Sequence, residues 1–262
     1  MQIYPLWNGA FPGKPTEIPS IVHIAPTEAK SDAAVVIYSG GGYAHRAPHE
    51  GIGYAEYLAD LGINAFVVNY RVSPARFPDE LLDARRGIRF VRANAERFGV
   101  NPDKIAVMGS SAGGHLAALV STYLAPIAGE GVDEIDAMPF LPNMQILCYA
   151  VTSSDETIQH QGSFKNLLGD EFPHSADYDP GLLCNETTPP AFIWHTAQDT
   201  AVNVINSYRY ATALKKNNIP CEMHIFPYGG HGLGLAPQNP HIAQWATLLP
   251  NFLRLFGFLN DN

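Results

Sequence analysis

Cysteine is scarce in this chain of 262 residues, which has only Cys148, Cys184 and Cys221. Their odd number and wide spacing exclude a disulfide framework, and no CxxC or Cys/His cluster offers a metal site, so buried free thiols and no metal are expected. Charge is also sparse, at 16% of residues with a net −9 and no Lys/Arg cluster. That balance excludes nucleic acid and anionic membrane as principal partners, since both require a concentrated basic surface. No apolar run approaches the ~18 residues of a membrane span, and "MQIYPLWNGAFPGKP" has neither a basic n-region nor an apolar h-region. A cytoplasmic location is the expectation. Low-complexity segments and internal repeats are absent too, and 46% hydrophobic residues can fill one sizeable core. The chain reads as one domain, 1–262.

What is present is a rhythm. Short apolar runs at 33–38, 64–70, 104–109, 144–150, 191–196 and 221–226 read as strands buried on both faces, as in a parallel sheet covered by helices. Between them, 79–98 has helical periodicity, with Pro78 before its first turn and Gly99 past its end. Segments 205–218 and 242–259 read as two more amphipathic helices. The alternation predicts a doubly wound, mostly parallel α/β sheet with helices on both faces. Residues 151–190 break the rhythm and are expected to form an insertion at the top of the sheet, a rim, a lid or a plain surface excursion.

The most informative stretch is "KIAVMGSSAGGHLAAL", where an apolar run meets a helix-forming one through two serines and three glycines. Only Ser111 occupies the third position of G-x-S-x-G, flanked by Gly109 and Gly113, and Ser110 is the x. The glycines permit the tight strand-to-helix turn that exposes a nucleophilic hydroxyl. A serine needs a base, and the base an acid to hold its tautomer. In this architecture the order is Ser, acid, His, each at the carboxyl end of a strand, which removes His45, His49 and His115. His195 closes a strand, His224 lies within one and His241 opens the last helix. His231, in the glycine-rich "YGGHGLGL", is therefore the expected base and Asp199 the expected acid, with Asp155, Asp177 and Asp179 as alternatives. "SGGG" at 39–42 follows the first long apolar strand, so the N–H groups of Gly41, Gly42 and Ala112 are the expected oxyanion donors. G-x-G-x-x-G is absent and no P-loop lysine follows, which favours acyl transfer over phosphate binding. No cofactor is implied.

With these motifs in place, "YSGGGY", the segment from "NYRVSPARFPDELLDARRG" to "SSAGGHLAAL" and the segment from "PPAFIWHTAQD" to "YGGHGLGL" resemble the α/β-hydrolase superfamily. More narrowly they resemble its HGGG-type esterase branch and the small bacterial acetyl-xylan-esterase-like and feruloyl-esterase-like hydrolases. The resemblance runs from Ile21 to the C-terminus. It implies a serine esterase of the α/β-hydrolase fold acting on a small-molecule or oligosaccharide ester, with feruloyl or other aryl esters as the alternative. Ser39 stands where many relatives have the loop histidine, and Gln198 and Asn203 stand where Asp and Pro are expected. About thirty residues precede the oxyanion strand, too few for a large helical cap, so an open pocket is expected in which Tyr43, Trp7 and Trp194 offer stacking faces to sugar rings. A serine peptidase lacks support because no selecting propeller or cap is evident. A non-catalytic binding protein would be expected to lose its serine or histidine.

Overall fold

The computed structural model describes every residue except 8, 10, 14–16, 261 and 262. Eight strands form one sheet: β1 (Gln2–Pro5), β2 (Ser20–Ile24), β3 (Ala34–Tyr38), β4 (Asn64–Asn69), β5 (Ile105–Ser110), β6 (Met144–Cys148), β7 (Ala191–Thr196) and β8 (Cys221–Phe226). Their spatial order is β1-β2-β4-β3-β5-β6-β7-β8. β2 runs antiparallel to both its neighbours, and β4 through β8 with β3 are mutually parallel. The doubly wound sheet expected from the sequence is thus present, with an antiparallel edge added.

Strand alternation sorts side chains onto two cores, one per face. Val36 and Tyr38 of β3 join Ile193 of β7 on one side. There they pack with α2 (Asp79–Ala93), α4 (Ser111–Thr122) and α7 (Ile205–Lys216). Val35 and Ile37 join Phe192 and Trp194 on the other, against α1 (Ile52–Asp60) and α8 (Trp245–Leu255). Every residue of β3 and β5 is buried. Burial of one Val or Ile contributes about 1.5–3 kcal/mol, so these central strands anchor the sheet.

Several elements differ from the sequence expectation. The helix at 79–98 is two, α2 and α3 (Ala95–Phe98), broken at Asn94, whose φ of −107° and ψ of 20° lie outside the helical region. Within α2, Arg85 and Arg86 are buried, paired to Glu130 and to Asp133 and Asp136. Asp83 of the same helix forms a fork on buried Arg71, at 2.8 and 2.9 Å. Of the cysteines, all free, only Cys148 is fully buried; Cys184 and Cys221 are half-buried. Segment 151–190 folds into α5 (Gln161–Leu168), a 3₁₀ stretch (Gly169–Tyr178) and α6 (Pro180–Leu183). Among the described residues no larger cap stands over the carboxyl edge of the sheet.

α4 is buried along its whole length, including His115. Its Nε2–H donates to the Tyr178 carbonyl at 2.9 Å, so Nδ1 must accept the Tyr43 hydroxyl, 2.7 Å away. Burial pushes the imidazole down to about 4, against the lesser pull of the Tyr178 carbonyl and Asp179. In the unfolded chain it takes a proton near the ordinary ~6.5, so acid favours unfolding. This contribution is intact above about pH 6.5 and is lost as pH falls toward 4, reaching about 3 kcal/mol. Urea unfolding of wild type and His115→Gln at pH 7 and 4.5 should show a smaller acid loss in the variant. Equal losses would place the acid sensitivity elsewhere.

Candidate active site

At the turn from β5 to α4, Ser111 sits at φ 53°, in the left-handed region. The chain can turn this tightly only without side chains two residues to either side. A Cβ on Gly109 would lie 2.1 Å from the Gly113 carbonyl oxygen, and one on Gly113 would lie 2.1 Å from the Tyr38 carbonyl oxygen. Ser110 points into the interior, 2.9 Å from the Tyr54 hydroxyl, whereas Ser111 Oγ lies 2.8 Å from His231 Nε2. The other imidazole nitrogen, Nδ1, is 2.6 Å from Asp199 Oδ2. A carboxylate only accepts, so Nδ1 carries the proton and Nε2 is free to accept from the serine.

Asp199 is held by more than the histidine. Its Oδ1 accepts the N–H groups of Ala201 and Val202, each at 2.9 Å. Burial alone would raise its carboxyl, but hydrogen bonds from His195, His231 and the Val202 N–H outweigh it and hold the group well below the usual carboxylate range. Asp199 therefore stays charged wherever His231 has to be oriented. The alternatives lie elsewhere: Asp179 caps α6 through Gly181 and Leu182, Asp155 pairs with Arg209, and Asp177 is exposed. Sequence reasoning missed His195, whose Nε2 is 3.2 Å from Asp199 Oδ2 and 3.0 Å from the Val202 carbonyl, with Nδ1 2.8 Å from Ser207 Oγ. Its only sequence signal is its place four residues before Asp199, at the end of β7.

The loop after β3 passes directly above Ser111. A Cβ on Gly40 would lie 3.1 Å from Ser111 Cβ. Gly41 (φ 128°) and Gly42 (φ 64°) have conformations that other residues rarely adopt, and neither N–H is bonded to another described residue. The Ala112 N–H belongs to the first turn of α4, where the helix has no carbonyl of its own four residues back. The insertion supports the loop, since Asn166 Nδ2 donates to the Gly42 carbonyl at 2.8 Å. At the other end of α5, half-buried His160 caps the helix, its Nδ1 accepting from the Ser163 N–H. Burial first, then nearby His231, lowers its pKa.

The expected aromatic platforms need correction. Tyr43 and Trp194 are fully buried, Tyr43 bonded to His115 and Trp194 stacked 5.1 Å from Trp245, so neither has a face to offer a sugar. Trp7 is buried as well, donating to Asp83 at 3.0 Å. Among the described residues no group of three or more His, Cys, Asp or Glu is placed to hold a metal.

The family model BD-FAE matches residues 22–214. An acetylxylan esterase from Xylanibacter ruminicola is 33% identical over 238 residues, 87% of this chain and 46% of that protein. An endo-1,4-beta-xylanase B from Butyrivibrio fibrisolvens is 33% identical over 216 residues, 80% of this chain and 33% of that protein. This chain thus spans less than half the length of either relative. The crystal structure of an acetyl ester-xyloside bifunctional hydrolase from Caldicellulosiruptor lactoaceticus superposes with a TM-score of 0.90 at 37% identity, covering 99% of this chain and 97% of that one. By sequence and by architecture, the chain belongs to the BD-FAE family, on the α/β-hydrolase fold.

Proposed function

We propose that this protein is a serine esterase that removes short acyl groups, acetyl above all, from carbohydrate such as xylo-oligosaccharides. The carrying observation is the unbroken chain from Ser111 Oγ through His231 to Asp199, at 2.8 and 2.6 Å. Ser111 attacks the ester carbonyl as His231 Nε2 takes its proton, and the N–H groups of Gly41, Gly42 and Ala112 receive the negative oxygen. Collapse breaks the ester C–O bond and returns the proton from His231 to the departing sugar hydroxyl. Water then repeats the sequence on the acyl-Ser111 ester, releasing acetate. Asp199 keeps its charge throughout and steadies the imidazolium.

The acetyl and xylan assignments draw on what the similar proteins are named for, an acetylxylan esterase and an acetyl ester-xyloside hydrolase. We take 1–262 as one domain, with segment 151–190 as the rim of its site through Asn166. A cytoplasmic location agrees with three free cysteines and with the absence, among the described residues, of any helix long and apolar enough to cross a membrane.

Ser111→Ala should lower kcat on an acetyl ester by about 10⁴-fold or more, and Asp199→Asn by a comparable factor through the wrong histidine tautomer. Ser110→Ala should stay within about tenfold of wild type, because removing its hydroxyl leaves the reacting groups in place. Equal losses in the two serine variants would overturn the assignment.

The substrate is tested by kcat/KM on acetylated xylo-oligosaccharides, methyl ferulate and a long-chain nitrophenyl ester. In the open site expected from the sequence, each added acyl methylene should gain little of the ~0.8 kcal/mol that full burial gives, so acetyl should be preferred. Preference for the long chain would contradict an open site, and preference for ferulate would transfer the assignment to an aryl esterase.

A further inference from the structure

Behind the candidate site lies a buried carboxylate that the proposed chemistry does not use. Glu50, in a 3₁₀ turn (Pro48–Glu50) ahead of α1, is only 3% exposed. Its Oε2 accepts the Gly40 N–H at 2.9 Å and its Oε1 accepts the Tyr149 hydroxyl at 2.7 Å. Tyr149 in turn accepts the Gly234 N–H at 2.9 Å, and its ring meets that of His231 edge-on at 5.0 Å between centroids. Tyr54 lies 3.2 Å from the Tyr149 hydroxyl and 2.9 Å from Ser110 Oγ. One proton assignment satisfies the whole set: Ser110 donates to Tyr54, Tyr54 to Tyr149, and Tyr149 to Glu50. The adjacent His49 adds a second link, donating from Nε2 to the Gly232 carbonyl at 2.9 Å.

These bonds join three segments that come from distant parts of the chain: the loop carrying Gly41 and Gly42, the loop carrying His231, and the turn carrying Ser111. Among the described residues no backbone hydrogen bond joins the first two directly. We infer that Glu50 is a positioning residue, whose carboxylate ties the oxyanion loop at Gly40 to the His231 loop through Tyr149. It thereby holds both in register over Ser111. The clearance is small, since a Cβ on Gly40 would approach Glu50 Oε2 to 2.4 Å and the Ser110 carbonyl oxygen to 2.8 Å. Loss of the acceptor would let the loop shift, and a misplacement of about 1 Å can cost about 10²-fold in rate.

The inference rests on the esterase reading, and the experiment separates the two. Steady-state kinetics on an acetyl ester are compared for wild type, Glu50→Ala, Glu50→Gln, Tyr149→Phe and Ser111→Ala, with thermal unfolding followed for each. Glu50→Ala should lose at least about tenfold in kcat with KM within about threefold, because the defect lies in transition-state alignment. Glu50→Gln, which retains one carbonyl acceptor, should recover part of that loss. Tyr149→Phe should also lose kcat with KM preserved. Should Glu50→Ala fail to fold, Glu50→Gln and Tyr149→Phe decide on the same terms. Wild-type kcat in the folded variants, a loss confined to KM, or no recovery in Glu50→Gln would overturn the proposal. Activity retained in Ser111→Ala would instead overturn the function on which it rests.

Discussion

The close approach of backbone to backbone at Ser111 is the constraint on which the rest of the site depends. Holding a serine at φ 53° costs on the order of 1–3 kcal/mol, and such a conformation persists only where its surroundings leave no alternative. Here β5 is fully buried on one side of the turn and α4 on the other. The Val151 N–H also donates to the Ser111 carbonyl at 3.1 Å. The same geometry that strains the serine directs its hydroxyl outward while Ser110 is turned into the core.

Around that fixed point the parallel sheet brings the other components to one edge. Parallel strands share a direction, so the segments following β3, β7 and β8 emerge beside the one following β5. They deliver the glycine loop, Asp199 and His231 from positions far apart in sequence. Two backbone N–H groups and two imidazoles converge on one buried carboxylate, so its charge is favoured despite burial and the His231 tautomer is determined. His195 thus bonds to Asp199 as Asp199 bonds to His231.

The parallel strands were legible because burial on both faces leaves near-continuous apolar runs, and "AVVIY" and "AFIWHT" are such runs. β1 was not, because it lies at the sheet edge with mostly exposed side chains. The nucleophile motif was readable from its steric requirement, which needs glycine at fixed positions. The aromatic platforms were misread because residue type does not distinguish a core tryptophan from a rim one; Trp194 alternates onto the buried α8 side of β7. Glu50 left no spacing signature either, since the Gly40 N–H and the Tyr149 hydroxyl that it binds come near it only in the folded chain. Arg85 and Arg86 of α2 show the same limit, for their carboxylate partners lie more than forty residues away in sequence.

The central claim is that Ser111 forms a covalent acyl intermediate with His231 as its base. Its most direct test is rapid acid quenching of the enzyme during turnover of p-nitrophenyl acetate, followed by intact mass measurement and peptide mapping. The account predicts the added mass of one acetyl group, located on Ser111 and absent when Ser111 is replaced by alanine. An active enzyme that shows no acetyl adduct when deacylation is rate-limiting, or that carries the adduct on another residue, would contradict it.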